Sequence, residues 1–337
     1  MQSNINFDHL FKSFNTQKVL IIGDVMIDAY QWGKVERISP EAPVPVVLIQ
    51  KHENRPGGAA NCALNIQALG AEPILCSVIG EDEKGNEFIK MLQDKKISDK
   101  GIMRSPNRRT TIKTRIIGNN TQMLRVDEEI TENLSDSVSE QFIALIGKII
   151  AKNKIGSVIF QDYDKGVITP LIIEKLIPVF NELNIPIAVD PKKRNFNLYK
   201  NVSLFKPNLK ELKEGLQIEF DANSIPELSA VVTHLLEQHN VRIVLTTLSE
   251  KGIYFSCNSK DKGRLNMLIP AHVRSIADVS GAGDTVISTA ALCLAIGLRG
   301  YDIAYISNLA GGLVCEQIGV VPVDKAQLLA ELKSLKQ

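Results

Sequence analysis

The stretch Asp278-Val279-Ser280-Gly281-Ala282-Gly283-Asp284, running directly into the apolar segment 285–296, decides how the chain is read. Two glycines one residue apart permit a tight turn, so several backbone N–H groups can point at one anion. The apolar segment reads as a buried helix, and its dipole adds positive potential at the same spot. Asp284 falls on the first helical turn, beside that anion pocket. An anion hole made by Gly281, Ala282 and Gly283, next to a carboxylate base at Asp284, is what transfer of a phosphoryl group to a hydroxyl requires.

Outward from this stretch, short β-branched runs alternate with amphipathic segments of helical period. The alternation predicts an α/β fold: a mainly parallel sheet with helices on both faces. Strands are expected at 19–22, 72–79, 157–160, 186–189, 204–206 and 242–247. Helices are expected at 82–93, 139–151, 171–183, 226–238, 281–296, 302–317 and 324–335. Two regions break the rhythm. Pro43-Val44-Pro45-Val46-Val47-Leu48-Ile49 has strand chemistry, but its prolines confine it to a sheet edge. Segments 109–117 and 122–126 flank the turn-forming trio Gly118-Asn119-Asn120 and read as a hairpin. Segments of about 31–55 and 108–127 are therefore expected to form a small β-sheet lid on a single domain covering 1–337. Such a lid keeps water from a transferring group. Its unpaired edges make a homodimer through the lid sheet an expectation.

Bulk composition excludes several classes. Lys plus Arg number 39 and Asp plus Glu 38, so no global field recruits nucleic acid or an anionic membrane. Five scattered cysteines, with no C-x-x-C pair, suit free thiols in a reducing compartment. The polar stretch 1–17 is no signal peptide, and the longest apolar stretch, 286–298, is too short to span a bilayer. A cytoplasmic enzyme is the expectation.

Three further motifs can carry chemistry, each beside a plainer alternative. In Gly57-Gly58-Ala59-Ala60-Asn61, small residues open a helix to a ligand and Asn61 can bond a sugar hydroxyl; alternatively this is a tight turn before a packed helix. Gly23-Asp24-Val25-Met26-Ile27-Asp28 lies at the carboxyl end of the first strand, where ligands of open α/β sheets bind. Asp24 and Asp28 could accept bonds from a polyol, or cap a solvated turn. In Pro207-Asn208-Leu209-Lys210-Glu211, Asn208 and Glu211 share one side of a first helical turn and could hold Mg²⁺ through water. The same spacing is a capping box. A Walker A loop is not found: Gly80-Glu81-Asp82-Glu83-Lys84-Gly85-Asn86 has Asn86 where lysine is needed. The dinucleotide fingerprint is also missing after the first strand, which argues against a dehydrogenase.

Taken together and in this order, the motifs resemble the PfkB or ribokinase family of sugar kinases, from Lys18 to the C-terminus. The resemblance implies a ribokinase-like fold and Asp284 as base. It implies nucleotide binding by Asn208, Leu209, Lys210, Glu211, Thr247, Ser249, Gly252 and Asn308, with ATP as co-substrate and Mg²⁺ at Asn208 and Glu211. Asp278 matches a position that holds a monovalent cation such as K⁺ in some relatives. Asp24, Asp28, Gly57, Gly58 and Asn61 would bind the sugar. Within the family, the run Arg37-Ile38-Ser39-Pro40-Glu41-Ala42-Pro43, with Asp162-Tyr163-Asp164-Lys165-Gly166 and Asp190-Pro191-Lys192, is similar to kinases of D-glycero-β-D-manno-heptose 7-phosphate acting on the anomeric hydroxyl. That branch usually has glycine where Lys193 stands. It is often fused to a nucleotidyltransferase, for which the chain ending at Gln337 leaves no room, so the separate-kinase form is expected. The phosphorylated heptose needs a cation, for which Lys165, Arg125, Arg115, Lys192 and Arg194 are candidates. Kinases of ribose, fructose or a nucleoside, and a non-catalytic sugar-binding regulator, are the competing readings. The helix start should lower the pKa of Asp284, a handicap that a loose transition state tolerates.

Overall fold

The computed structural model describes residues 5–259, 263–272 and 274–335; the extreme ends of the expected domain lie outside these. Its main sheet has nine strands. In chain order these are β1 (Lys18–Gly23), β4 (Glu72–Gly80), β5 (Gly101–Ser105), β8 (Ser157–Gln161), β9 (Ile187–Asp190), β10 (Leu204–Phe205), β11 (Ile243–Thr247), β12 (Ile253–Ser259) and β13 (Gly263–Ile269). A second sheet contains β2 (Val25–Ile38), β3 (Pro45–Gly58), β6 (Ile112–Gly118) and β7 (Thr121–Glu128).

The main sheet runs β13-β12-β11-β10-β9-β8-β1-β4-β5. Pairings from β5 to β11 are parallel; β12 and β13 add an antiparallel edge. Alternation along β1 explains its central place. Val19 and Ile21 enter one core with helices Ala59–Ala68, Ala282–Ala295 and Gly300–Val314. Leu20 and Ile22 enter another with helices Asp136–Lys152, Pro170–Glu182 and Ile225–Gln238. All four side chains are fully buried, as a strand covered on both faces demands.

The expected strands and helices appear within a few residues. Three pieces were not anticipated. Helix Phe7–Phe14 buries Leu10, Phe11 and Phe14 in the otherwise polar N-terminal stretch. β5 is too short to announce itself by periodicity. The β12–β13 hairpin mixes polar and apolar residues because one of its strands is a sheet edge.

The second sheet has the order β3-β2-β6-β7, so the proline-bearing strand is an edge, as its chemistry requires. Asn119 and Asn120, at φ +51° and +62°, turn the β6–β7 hairpin. The sheet begins earlier than residue 31: β2 starts at Val25, one residue beyond β1, and pairs along its whole length with β3. Asp28 is therefore a strand residue, not part of a solvated turn. Arg55 ties this sheet to the C-terminal half by donating to the Val320 carbonyl at 3.1 Å.

Candidate active site

The carboxyl ends of β8, β9, β10 and β11 face the start of helix Ala282–Ala295 across a cavity of ≈440 Å³. Gly281 makes the entry turn. Its φ of +81° favours glycine, and a Cβ there would lie 2.9 Å from the Asn61 Nδ2 atom. The Ala282 N–H is taken by the Val279 carbonyl at 3.3 Å, and the Thr285 N–H returns to Gly281 at 3.0 Å. The N–H groups of Gly283 and Asp284 have no main-chain acceptor among the described residues. The open donors of this turn are thus Gly283 and Asp284, and the Ala282 N–H expected beside them is already spent.

Asp284 is 5% exposed and has no cation bonded to it. Its Oδ1 accepts from the Tyr163 hydroxyl at 2.6 Å and from Gln161 Nε2 at 3.0 Å. Its Oδ2 accepts from Asn61 Nδ2 at 2.7 Å. Burial pushes the carboxyl up to about 6, while the Tyr163 and Asn61 bonds pull the other way. The expected lowering by the helix start is outweighed by desolvation, which leaves a better base than sequence suggested.

Two cations border this carboxylate. Lys206, buried directly after β10, pairs with Asp190 at 3.0 Å. Gln161 Nε2 also donates to Asp190, at 3.1 Å, and so bridges the two aspartates. Lys206 Nζ stands 3.5 Å from where a Gly283 side chain would begin, so it faces the open first turn. Lys192 sits 5.7 Å over the Tyr163 ring and bonds Glu211. Neither Lys206, Gln161 nor Tyr163 was assigned a role from sequence. Their position at the carboxyl ends of parallel strands was the available signal.

Several expected roles are corrected. Asn61 does not offer its amide to a sugar; it is fully buried and holds Asp284. Asp24 does not face a polyol either. Its oxygens accept the main-chain N–H groups of Tyr163 (2.9 Å), Lys165 (3.1 Å) and Val167 (2.9 Å), so it fixes the loop after β8. Asp28 is ion-paired with Arg115, and a Cβ on Gly57 would overlap its carboxylate. Gly58, at φ +62°, starts helix Ala59–Ala68 beneath them.

Asn208 and Glu211 form the capping box: each side chain accepts the other's N–H at 2.8 Å. With the remaining Glu211 oxygen on Lys192, the pair does not fit Mg²⁺. Among the described residues no cluster of three or more His, Cys, Asp and Glu side chains could hold a metal. Leu209 packs on the core and Lys210 points to solvent, pairing with Glu214 at 3.7 Å; neither lines the cavity. Thr247, Ser249, Gly252 and Asn308 do line it, although the Asn308 amide is engaged with the Pro270 carbonyl at 2.9 Å. Asp278 accepts the N–H groups of Ser280 and Gly319, each at 2.9 Å. Burial raises its pKa, but these bonds prevail and hold it below the usual carboxylate range. The group clamps a loop through one bond to each of its oxygens. Lys165 and Arg125 are ion-paired with Glu129 and Asp127.

A parallel sheet whose carboxyl end meets a helix start with two open N–H groups and a buried carboxylate is an arrangement suited to phosphoryl transfer. The pattern of the pfkB family carbohydrate kinases matches residues 16–326, and the chain belongs to that family. It is therefore a carbohydrate kinase with a ribokinase-like fold. The bifunctional protein HldE of Helicobacter pylori (strain HPAG1) is 38% identical over 303 residues, which cover 90% of this chain and 64% of that protein. HldE of Trichlorobacter lovleyi is 36% identical over 325 residues, covering 96% and 64%. The chain thus spans a little under two thirds of these relatives. Arabidopsis thaliana ribokinase, solved with ribose and ATP, superimposes with a TM-score of 0.69 at 17% identity, covering 93% of this chain and 98% of that one. Escherichia coli phosphofructokinase-2, solved with substrates and products, gives 0.75 at 15%, covering 94% and 100%. No helix among the described residues is long and apolar enough to cross a membrane.

Proposed function

We propose that the protein transfers the γ-phosphoryl group of ATP to the anomeric hydroxyl of D-glycero-β-D-manno-heptose 7-phosphate. The observation that carries the transfer is Asp284: a buried carboxylate with no cation bonded to it, on the same helical turn as two open N–H groups. The nucleotide phosphates lie along the cavity by Lys192 and Lys206, and the terminal phosphate meets the Gly283 and Asp284 N–H groups. These donors stabilise charge spreading over the phosphoryl oxygens. Asp284 orients the sugar hydroxyl and takes its proton late. An anomeric hydroxyl is more acidic than an ordinary alcohol, which suits a base poised at about 6.

The heptose phosphate is supported by the sequence motifs around Arg37 to Pro43 and Asp162 to Gly166, and by the second sheet. Strand register puts Lys113 beside Asp28, Arg115 beside Tyr30, and Arg125 beside Arg115, so these groups share one face. Lys165 joins them through Glu129, 2.7 Å from Lys165 and 3.9 Å from Lys113. This face, acting as a lid, supplies the cations for the 7-phosphate. The sheet also carries exposed Ile38, Leu48, Leu124 and Val126, with Val44 in the β2–β3 connection, surface suited to a second copy of the chain.

ATP turnover with heptose 7-phosphate, fructose 6-phosphate, ribose and unphosphorylated heptose tests the reading, with NMR identification of the product. A 1,7-bisphosphate from the heptose substrate and little turnover with the others is expected. Equal turnover of a sugar without phosphate removes the assigned role of the lid cations. No ADP release with any sugar favours a non-catalytic sugar-binding protein.

A further inference from the structure

The loop after β8 contributes a group to which the assigned chemistry gives no part. Tyr163 is half-buried in the cavity wall, and its hydroxyl is 2.6 Å from Asp284 Oδ1. A carboxylate has about four lone-pair sites. Tyr163 and Gln161 fill both on Oδ1, and Asn61 fills one on Oδ2. The amide orientations are imposed by chemistry: Gln161 faces carboxylates of both Asp190 and Asp284, and only its NH₂ group can bond to them. One acceptor position therefore stays open, and it is on Oδ2.

The loop that carries Tyr163 is built to be rigid. Asp24, at the end of the central strand, gathers the N–H groups of residues 163, 165 and 167. Asp162 is buried and accepts from Asn195 and Tyr199, both at 2.9 Å, and from the Asp164 N–H at 2.9 Å. Asp164 itself takes φ +55°, a left-handed conformation that such bonding can hold. Two buried carboxylates thus set the height and direction of one tyrosine.

We propose that Tyr163 is a positioning residue for the base: it pins Asp284 Oδ1 so that Oδ2 alone receives the proton of the sugar hydroxyl. The inference rests on Asp284 being the base. The other charged or titratable groups near that carboxylate are Asp190, Lys206, Lys192 and Cys62. None of them bonds its oxygens, so Tyr163 is the one titratable group in direct contact with them among the described residues.

Tyr163→Phe tests this, because it keeps the ring beneath Lys192 and removes only the hydroxyl. Turnover should fall roughly tenfold, with KM for sugar and ATP changed by less than about twofold, since the lost bond acts on the base and not on binding. Losing a donor to the charged carboxylate also raises its pKa, so the acidic limb of the kcat–pH profile should move to higher pH. An unchanged kcat with an unmoved limb overturns the proposal. So does a raised sugar KM at unchanged kcat, which makes Tyr163 a substrate ligand. Asp284→Asn run alongside separates the two levels. If it stays active, the base assignment fails and takes the proposal with it; if it is inactive while Tyr163→Phe matches the parent, only the proposal fails.

Discussion

Helices Ala59–Ala68 and Ala282–Ala295 begin alike: each follows a glycine at positive φ, and neither has a side-chain cap. They also lie side by side. Asn61 bonds Asp284, the Thr285 hydroxyl donates to Asn65 at 3.0 Å, and the Ser288 hydroxyl is 3.4 Å from the Cys62 carbonyl. Their surroundings differ. The Ala59 N–H is spent on the Asp24 carbonyl at 2.9 Å, which ties that first turn to the residue between β1 and β2. The first turn of the second helix lines the cavity, and its Gly283 and Asp284 N–H groups have no main-chain acceptor among the described residues. The same local chemistry thus serves a structural joint in one place and a cavity wall in the other.

Substitutions can break this contrast, and the largest effect is expected at Asp284. Asp284→Asn should lower kcat by about two orders of magnitude or more with little change in ATP affinity, as read by steady-state kinetics and nucleotide titration. Gly281→Ala comes next. A side chain at φ +81° costs roughly 1–3 kcal/mol and would press on Asn61, so kcat should drop about tenfold or more. Gly58→Ala puts a Cβ 2.5 Å from the Asp24 carbonyl. It should act mainly on stability, lowering Tm by roughly 5 °C in thermal unfolding. If the two alanines behave alike, the division into joint and site is wrong.

Smaller effects sharpen the same division. In the proposed reaction Asp284 works ionised, and its carboxyl is raised to about 6, so kcat should fall as pH drops through that value. The charged form is the one burial disfavours, so this group's contribution to folding stability is largest at acid pH and is lost as pH rises through about 6. Activity and this stability increment therefore run in opposite directions across that window. Asp24→Asn separates a loop anchor from a sugar ligand: a few-fold loss of kcat with near-normal sugar KM is expected, whereas a sugar ligand would raise KM. Lys210→Ala should change nothing measurable in nucleotide affinity, since that side chain lies in solvent.

The motifs mix residues that line the cavity with residues that bond the protein's own groups. Asp284 and the glycine turn were legible because turn chemistry and a dipole are local properties. Asn61, Asp24 and Asn208 were polar residues in glycine- or proline-bearing motifs, and sequence shows a polar atom without its partner. All three turned out to satisfy protein groups: a carboxylate, three loop N–H groups and a helix start. Lys206 and Gln161 escaped because a single polar residue at a strand end has no periodicity to mark it.

From sequence alone came the α/β alternation, the proline-bearing edge strand, the asparagine hairpin turn and the glycine turn before Asp284, since each depends on residues within one or two turns of chain. The tertiary structure alone decided which donors stay unspent, which carboxylates are filled, and why Asp284 titrates near 6 when a helix start should lower it. Those outcomes depend on desolvation and on partners more than a hundred residues away in the chain, and neither is written in any local pattern.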